Sequence, residues 1–255
     1  MVELTESAAL LKAGRLPSSM AKENMAATAR AIAAEHPCSS HPLFEYLDRT
    51  KLNHQQRCGF LANYDAHASL LRRLLLKAAT LMPEEAVGYI LENVRNEYGN
   101  GNPDHRHQLQ LHDLAFQAGV TAENLRKAPL EAGVKKYMQQ VPQFYFPENT
   151  AEPDQTWPRP CLTAPAIAAG AITATEILAI EEFRHMQKSF AFLGLDQHIW
   201  FDHVNVEVKH SEESVQLAVF FADTEDGVAS VLDGLQGVLD ANILLYDGLL
   251  AAASG

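Results

Sequence analysis

The chain has 255 residues, 47% of them hydrophobic and 20% charged, with 14 Gly and 12 Pro. That length and balance predict one globular domain with a sizeable core, and exclude collagen-like, coiled-coil and disordered chains. Twenty Lys and Arg against 32 Asp and Glu leave a net charge of −12. No basic footprint is therefore available for nucleic acid, and a highly anionic substrate is disfavoured.

Apolar residues recur at helical spacing, and no stretch alternates for long enough to predict a sheet. In chain order the pattern predicts helices over 4–13, 19–35, 41–49, 54–81, 84–98, 103–118 and 121–140. A segment with six prolines follows, from Gln140 to Pro165. It predicts a long ordered crossover over one end of the fold, with a hinge between two domains as the alternative. Further helices are expected over 165–193, 197–221 and 225–251. Pro83, the run from Gly99 to Pro103, and Gly194 supply the breaks. The expected architecture is all-α: a single bundle with peripheral helices in residues 1–40 and one long Pro-rich connection at 141–164.

Cys38, Cys58 and Cys161 lie far apart with no Cys-x-x-Cys spacing. This argues for a reducing compartment and against a disulfide framework or a thiolate zinc site. Acids in the first six residues stand where a secretory or transit leader needs positive charge. The longest apolar stretch, Ala164 to Ala174, is too short to span a bilayer. A cytoplasmic protein with no membrane partner is expected. The 11 histidines are more than composition explains.

Charged residues on the apolar side of their own helices are the informative feature. With His203 at zero on a wheel of about 100° per residue, Glu207 falls at about 40° and His210 at about −20°. Their stripe also holds Ile199, Trp200, Val206, Leu217, Ala218 and Phe221, while Asn205, Lys209, Glu212 and Gln216 lie toward the other side. A carboxylate between two imidazoles is thus aimed into the core, where its burial costs several kcal/mol unless a metal or another partner compensates it. Hydrogen-bonded core histidines paired with Glu207 are the plainer reading of this helix taken alone.

Other helices repeat the pattern. Glu176 shares a face with Ala169, Ile172, Ile180 and Phe183, while Glu181, Glu182 and His185 are expected to point elsewhere. Glu97 aligns with Ala86, Ile90 and Val94, and an acid in a last turn opposes the helix dipole. Ten residues on, His107 lies just inside a helix that Asn102 can cap and Pro103 can open. The glycine turn between them can bring Glu97 and His107 to one site. His105 is a rival that shares a face with His112, but Leu111 and Leu114 flank His107. Three carboxylates and three imidazoles without thiolates suit iron or manganese, and six such ligands are enough for two ions. Arg72 and Arg73 can pair with a substrate carboxylate, although helix arginines are usually exposed.

His203-x-x-x-Glu207-x-x-His210, preceded by Trp200-Phe201, resembles the final ligand helix of the heme-oxygenase-like di-iron oxidases. In that family the middle residue is usually Asp. The run from Asn96 to Pro103 (Asn-Glu-Tyr-Gly-Asn-Gly-Asn-Pro), with His107 beyond it, is similar to the family's Asp-Glu-x-Gly-x-Gly-x-Pro stretch and downstream histidine. Thr175-Glu176 matches the place of another glutamate ligand, though the family's glutamate usually lies further before the final motif. Glu181 and Glu182 stay as outside candidates. His41-Pro-Leu-Phe-Glu-Tyr-Leu looks like the entry to this fold, which thiaminase-like and quinone-cofactor-synthase-like relatives share. The resemblance spans roughly residues 40 to 250. It implies a heme-oxygenase-like bundle holding two Fe(II) ions on Glu97, His107, Glu176, His203, Glu207 and His210. It further implies O2 as co-substrate, a small amino-acid-like or fatty-acid-like substrate, and a homodimer. A metal-free enzyme of the thiaminase or quinone-synthase type and a binding protein with a structural polar core are the alternatives.

Overall fold

The computed structural model describes residues 18–147 and 162–255, and among these every regular element is helical. The helices are α1 (Ser18–Glu35), α2 (Pro42–Arg49), α3 (His54–Ala79), α4 (Glu84–Glu97), α5 (His107–Gln117), α6 (Ala122–Lys127), α7 (Ala132–Gln140), α8 (Pro142–Tyr145), α9 (Thr163–Phe190), α10 (His203–Phe221) and α11 (Glu225–Ser254). The helix expected over 4–13, Cys161 and most of the Pro-rich crossover fall outside the described residues.

Three expected helices are interrupted, each for a local reason. In 103–118, the Asn102 side chain accepts the Asp104 N–H and so caps a 3-10 turn, Pro103–His105, rather than a helix. Arg106 then leaves helical space (φ −58°, ψ 138°), and α5 begins at His107. In 121–140, Pro129 lies in the break between α6 and α7, where it can neither donate an N–H nor tolerate a helical predecessor. The helix expected over 197–221 starts as a 3-10 turn, Ile199–Asp202, before α10.

Helices α9 and α11 form the centre, with α10 against α9 and with α3 and α7 against α11. The α9–α11 contact is closer than side chains permit. A Cβ built on Gly170 would stand 1.9 Å from the Val231 carbonyl oxygen, and one on Gly234 equally close to that of Ile167. Thr173 of α9 donates its hydroxyl to the Ser214 carbonyl of α10 at 2.8 Å and so ties the third helix to this pair. The stretches Thr163–Leu193 and Glu225–Ser254 are long and apolar enough to cross a membrane by length and composition, longer than the apolar run of 164–174 taken alone. In their most apolar windows 67% and 50% of residues are buried inside the fold, as in core helices.

Three histidines act as brackets at the starts of helical segments. His36, His41 and His198 each accept, on Nδ1, the backbone N–H two residues on (Cys38, Leu43 and Trp200). An Nδ1 that accepts leaves the proton on Nε2 of a neutral ring. That Nε2–H donates to Asp240, Asp247 and Asp113 respectively, at 3.1, 3.2 and 2.9 Å. Local capping and a long-range tie are thus combined in one ring.

Candidate metal centre

All six inward residues singled out from the sequence meet in the middle of the bundle, as two sets of three. Glu176 comes from α9 and Glu207 and His210 from α10, and all three are buried. Their donor atoms lie within 4.8 Å of one another. His210 Nδ1 is 3.2 Å from Glu207 Oε2 and 3.9 Å from Glu176 Oε2.

The second set straddles a reverse turn. Glu97 is the last residue of α4, and His107 is the first of α5. Between them Gly99, Asn100 and Gly101 all have positive φ (87°, 53° and 91°). A Cβ on Gly99 would stand 2.1 Å from the Asn102 carbonyl oxygen, so the reversal is restricted to glycine there. The reversal brings Glu97 Oε1 to 3.0 Å from His107 Nδ1. On its other side the same Nδ1 lies 2.8 Å from His203 Nε2.

Proton positions in this set follow from the backbone. The Trp200 carbonyl lies 2.5 Å from His203 Nδ1, and a carbonyl only accepts, so Nδ1 carries the hydrogen and Nε2 offers a lone pair. His107 Nδ1–H therefore points between that lone pair and the Glu97 carboxylate. His198 holds the whole arrangement, because its ring joins Asp113 of α5 to the turn that carries Trp200. Phe183 stacks on His203 at 4.8 Å between ring centroids, and Trp200 packs beside it.

The charges are tuned by burial. Burial pushes the Glu176 carboxyl well up, and the facing Glu207 raises it further, against His210 and Asn93. Glu207 is pushed up to about 7 by burial, with Glu97 and Glu182 adding repulsion. Burial also opposes charge on Glu97, but the hydrogen bond and positive character of His107 hold its carboxyl below the ordinary value. His203 is driven down to about 3, by burial first and then by His107. Two carboxyls whose ionisation burial opposes, near a His203 imidazole kept neutral, form a donor set that a metal ion would complete. Glu97, His107 and His203 make a two-histidine, one-carboxylate set suited to non-heme iron(II). Glu176, Glu207 and His210 make the carboxylate-richer partner expected where two ions share a helical bundle. The residues present fit iron.

Five of the six line one cavity of about 100 Å³. Several further residues belong to this site. Asn93, one turn before Glu97 on α4, donates to Glu176 Oε1 at 2.7 Å. Its place on the apolar stripe with Ala86, Ile90 and Glu97 was the available sign. Glu182 does not face away as its helical wheel predicts. It lines the cavity and accepts the Tyr64 hydroxyl at 2.8 Å, because α9 is enclosed on nearly every side and a wheel cannot rank its faces. Arg72, expected to be exposed, is buried, whereas Arg73 is exposed. His105 is exposed, and Glu181 pairs with Arg184 at the surface.

The model of a family described as iron-containing redox enzymes matches residues 58–242, a span that contains all six donors. The chain belongs to this family. No curated protein matches the sequence. Solved structures similar to this family member include a CADD-like protein of unknown function from Nostoc punctiforme. It has 15% identity and a TM-score of 0.71 over 92% of this chain and 100% of that one. A TenA homologue from Pseudomonas syringae pv. tomato has 14% identity and a TM-score of 0.60 over 92% and 93%. A TenA homologue from P. horikoshii has 10% identity and a TM-score of 0.55 over 93% and 100%. These likenesses place the fold in the helical class shared by CADD-like and TenA proteins.

Proposed function

We propose that this member of the iron-containing redox enzymes is a non-heme di-iron oxidase or oxygenase that uses O2 on a small amino-acid-like or fatty-acid-like substrate. The observation that carries this reading is the convergence of two three-residue donor sets in the middle of the bundle, with five of the six side chains lining one cavity. One ion would be held by Glu97, His107 and His203, and the other by Glu176, Glu207 and His210. Two bound iron(II) ions would supply the reduction of O2 and the removal of hydrogen from a substrate C–H or N–H.

The chain's own residues position and shield the centre. Asn93 orients Glu176 by its hydrogen bond, and the Trp200 carbonyl fixes the His203 ring with a lone pair on Nε2. The buried rings of Phe183 and Trp200 keep water from the imidazoles. For the metal ions to bind, the protons on Glu176 and Glu207 must leave, and the hydrogen on His107 Nδ1 must move to Nε2 of the same ring.

The test is anaerobic reconstitution with Fe(II) followed by metal analysis and O2 uptake. About two irons per chain, with O2 consumed when air is admitted, is the expected result. A chain that stays free of iron sinks the reading. One observation favours a second reading, a metal-free enzyme of the thiaminase-like or quinone-synthase-like kind: Glu97, His107 and His203 already satisfy one another by hydrogen bonds. Metal-independent turnover of an organic substrate would favour that reading.

A further inference from the structure

Outside the cavity, one surface combines exposed apolar side chains with charge of a single sign. Leu109, Asp113 and Phe116 fall at i, i+4 and i+7 of α5 and so share one side of it. Phe116 is 72% exposed, the most exposed of the large apolar side chains among the described residues. Asp113 accepts from His198, and this contact sets Ile199, 52% exposed, beside the α5 stripe. Residues three apart eclipse in a 3-10 turn, so Asp202 stands on the same side as Ile199. Three exposed apolar side chains are thus accompanied by two carboxylates.

No cation balances them from the same segments, since residues 107–125 and 189–208 contain neither Lys nor Arg. Arg57 of α3, which reaches the end of α5, donates to the carbonyls of Ala118 and Leu52. An exposed apolar patch with a polar rim marks a surface where another protein docks, and the sign of the rim selects the partner's charge. A partner for this face is basic.

The position of the face narrows the partner further. His107 opens α5, and the chain runs from exposed Ile199 directly to buried Trp200. The Trp200 ring centroid lies 4.6 Å from that of His203 and 6.4 Å from that of His107. The face is therefore the outer wall of the Glu97, His107 and His203 set, with one aromatic ring leading inward. Electron transfer weakens steeply with distance, so an electron donor gains most by docking where the centre is near the surface. Its encounters are also small and transient, which a patch of this size can support.

We propose that this face docks a small one-electron carrier protein whose own contact surface is apolar at its centre and lined with lysines. Each encounter oxidises the carrier by one electron and reduces one iron(III) of the centre to iron(II), with Trp200 between them. The electron step rests on the oxidase reading above; the docking face does not.

The probe is tetrahaem cytochrome c3, a small lysine-rich carrier of low potential. Calorimetry measures its binding to the full chain with and without iron. Stopped-flow haem absorbance then follows oxidation of reduced cytochrome by the iron-loaded, air-oxidised chain under nitrogen. Binding should weaken as salt rises. Phe116→Ser, Ile199→Ser and Asp202→Lys should each weaken it by about five- to tenfold and slow electron transfer in step, with melting temperatures unchanged for these exposed positions. Leu162→Ser and Asp233→Lys are the controls. Leu162 precedes α9, and Asp233 adjoins Gly234, which packs on Ile167, so both sit at the end of α9 far from the face. Neither control should change binding. Equal weakening by the controls would reduce the effect to general attraction by an acidic chain and overturn the proposal. Absence of binding, or binding to an iron-loaded chain without electron transfer, would overturn it as well. Iron analysis separates the two readings: a chain that docks the carrier at this face but takes up no iron fails as an oxidase alone, and one that holds two irons but does not dock the carrier fails here alone.

Discussion

At the scale of single residues, the centre is a set of protons waiting for a cation. Glu176 and Glu207 both have raised carboxyl pKa values, with burial the largest cause; Glu207 raises Glu176 further, while Glu97 and Glu182 raise Glu207 against the hydrogen bond it shares with Glu176. A metal ion needs the ionised form, so protons leave on binding and affinity rises with pH through about 7, where Glu207 titrates. Titrating Mn(II) or Fe(II) in buffers of different ionisation enthalpy at pH 7 should show release of about one to two protons per chain. Affinity should fall about tenfold per pH unit below neutrality, and binding without any buffer dependence would contradict this account. Asn93 gives a second handle. Asn93→Ala leaves Glu176 Oε1 unpartnered, so metal affinity should drop by about 10- to 100-fold while the fold is kept. Competition with a chelator reads this directly.

At the scale of elements, the bundle depends on brackets and on one close contact. His198 caps the turn before α10 and reaches Asp113 of α5, so it sets the spacing between the helices that carry His203 and His107. His198→Ala should cost about 1–2 kcal/mol in denaturant melts and should also weaken metal binding. His36→Ala, the same type of bracket far from the cavity, should cost similar stability and leave metal binding alone. If both variants lost metal equally, His198 would have no special part. Gly170→Ala pushes a methyl into the Val231 carbonyl, where neither backbone can move freely. A loss of about 1–3 kcal/mol is expected from chemical denaturation.

At the scale of the whole molecule, what could be seen in the sequence follows from geometry. Amphipathic helices such as α4 and α10 announce their inner faces, so Glu97, Glu207 and His210 stand out from a wheel. Helix α9 is enclosed on almost every side, and there Glu176 was visible while Glu182 was misplaced. The burial of Arg72 and His67 is hidden for another reason, since periodicity reports which face is apolar and not which polar side chain is drawn into it. The 3-10 turns before α5 and α10 depend on single side chains, Asn102 and His198, and leave no periodic trace. Histidine abundance finds its explanation here as well: three rings belong to the donor sets, and three are brackets. The two donor sets also differ in how firmly they are held. Glu176, Glu207 and His210 stand on two long helices tied together by the Thr173–Ser214 hydrogen bond, whereas Glu97 and His107 flank a chain reversal at the ends of shorter ones. Unequal rigidity implies ordered occupancy: the first equivalent of metal should be taken up tightly by the α9–α10 position, and the second more weakly, only as the hairpin arms close on it.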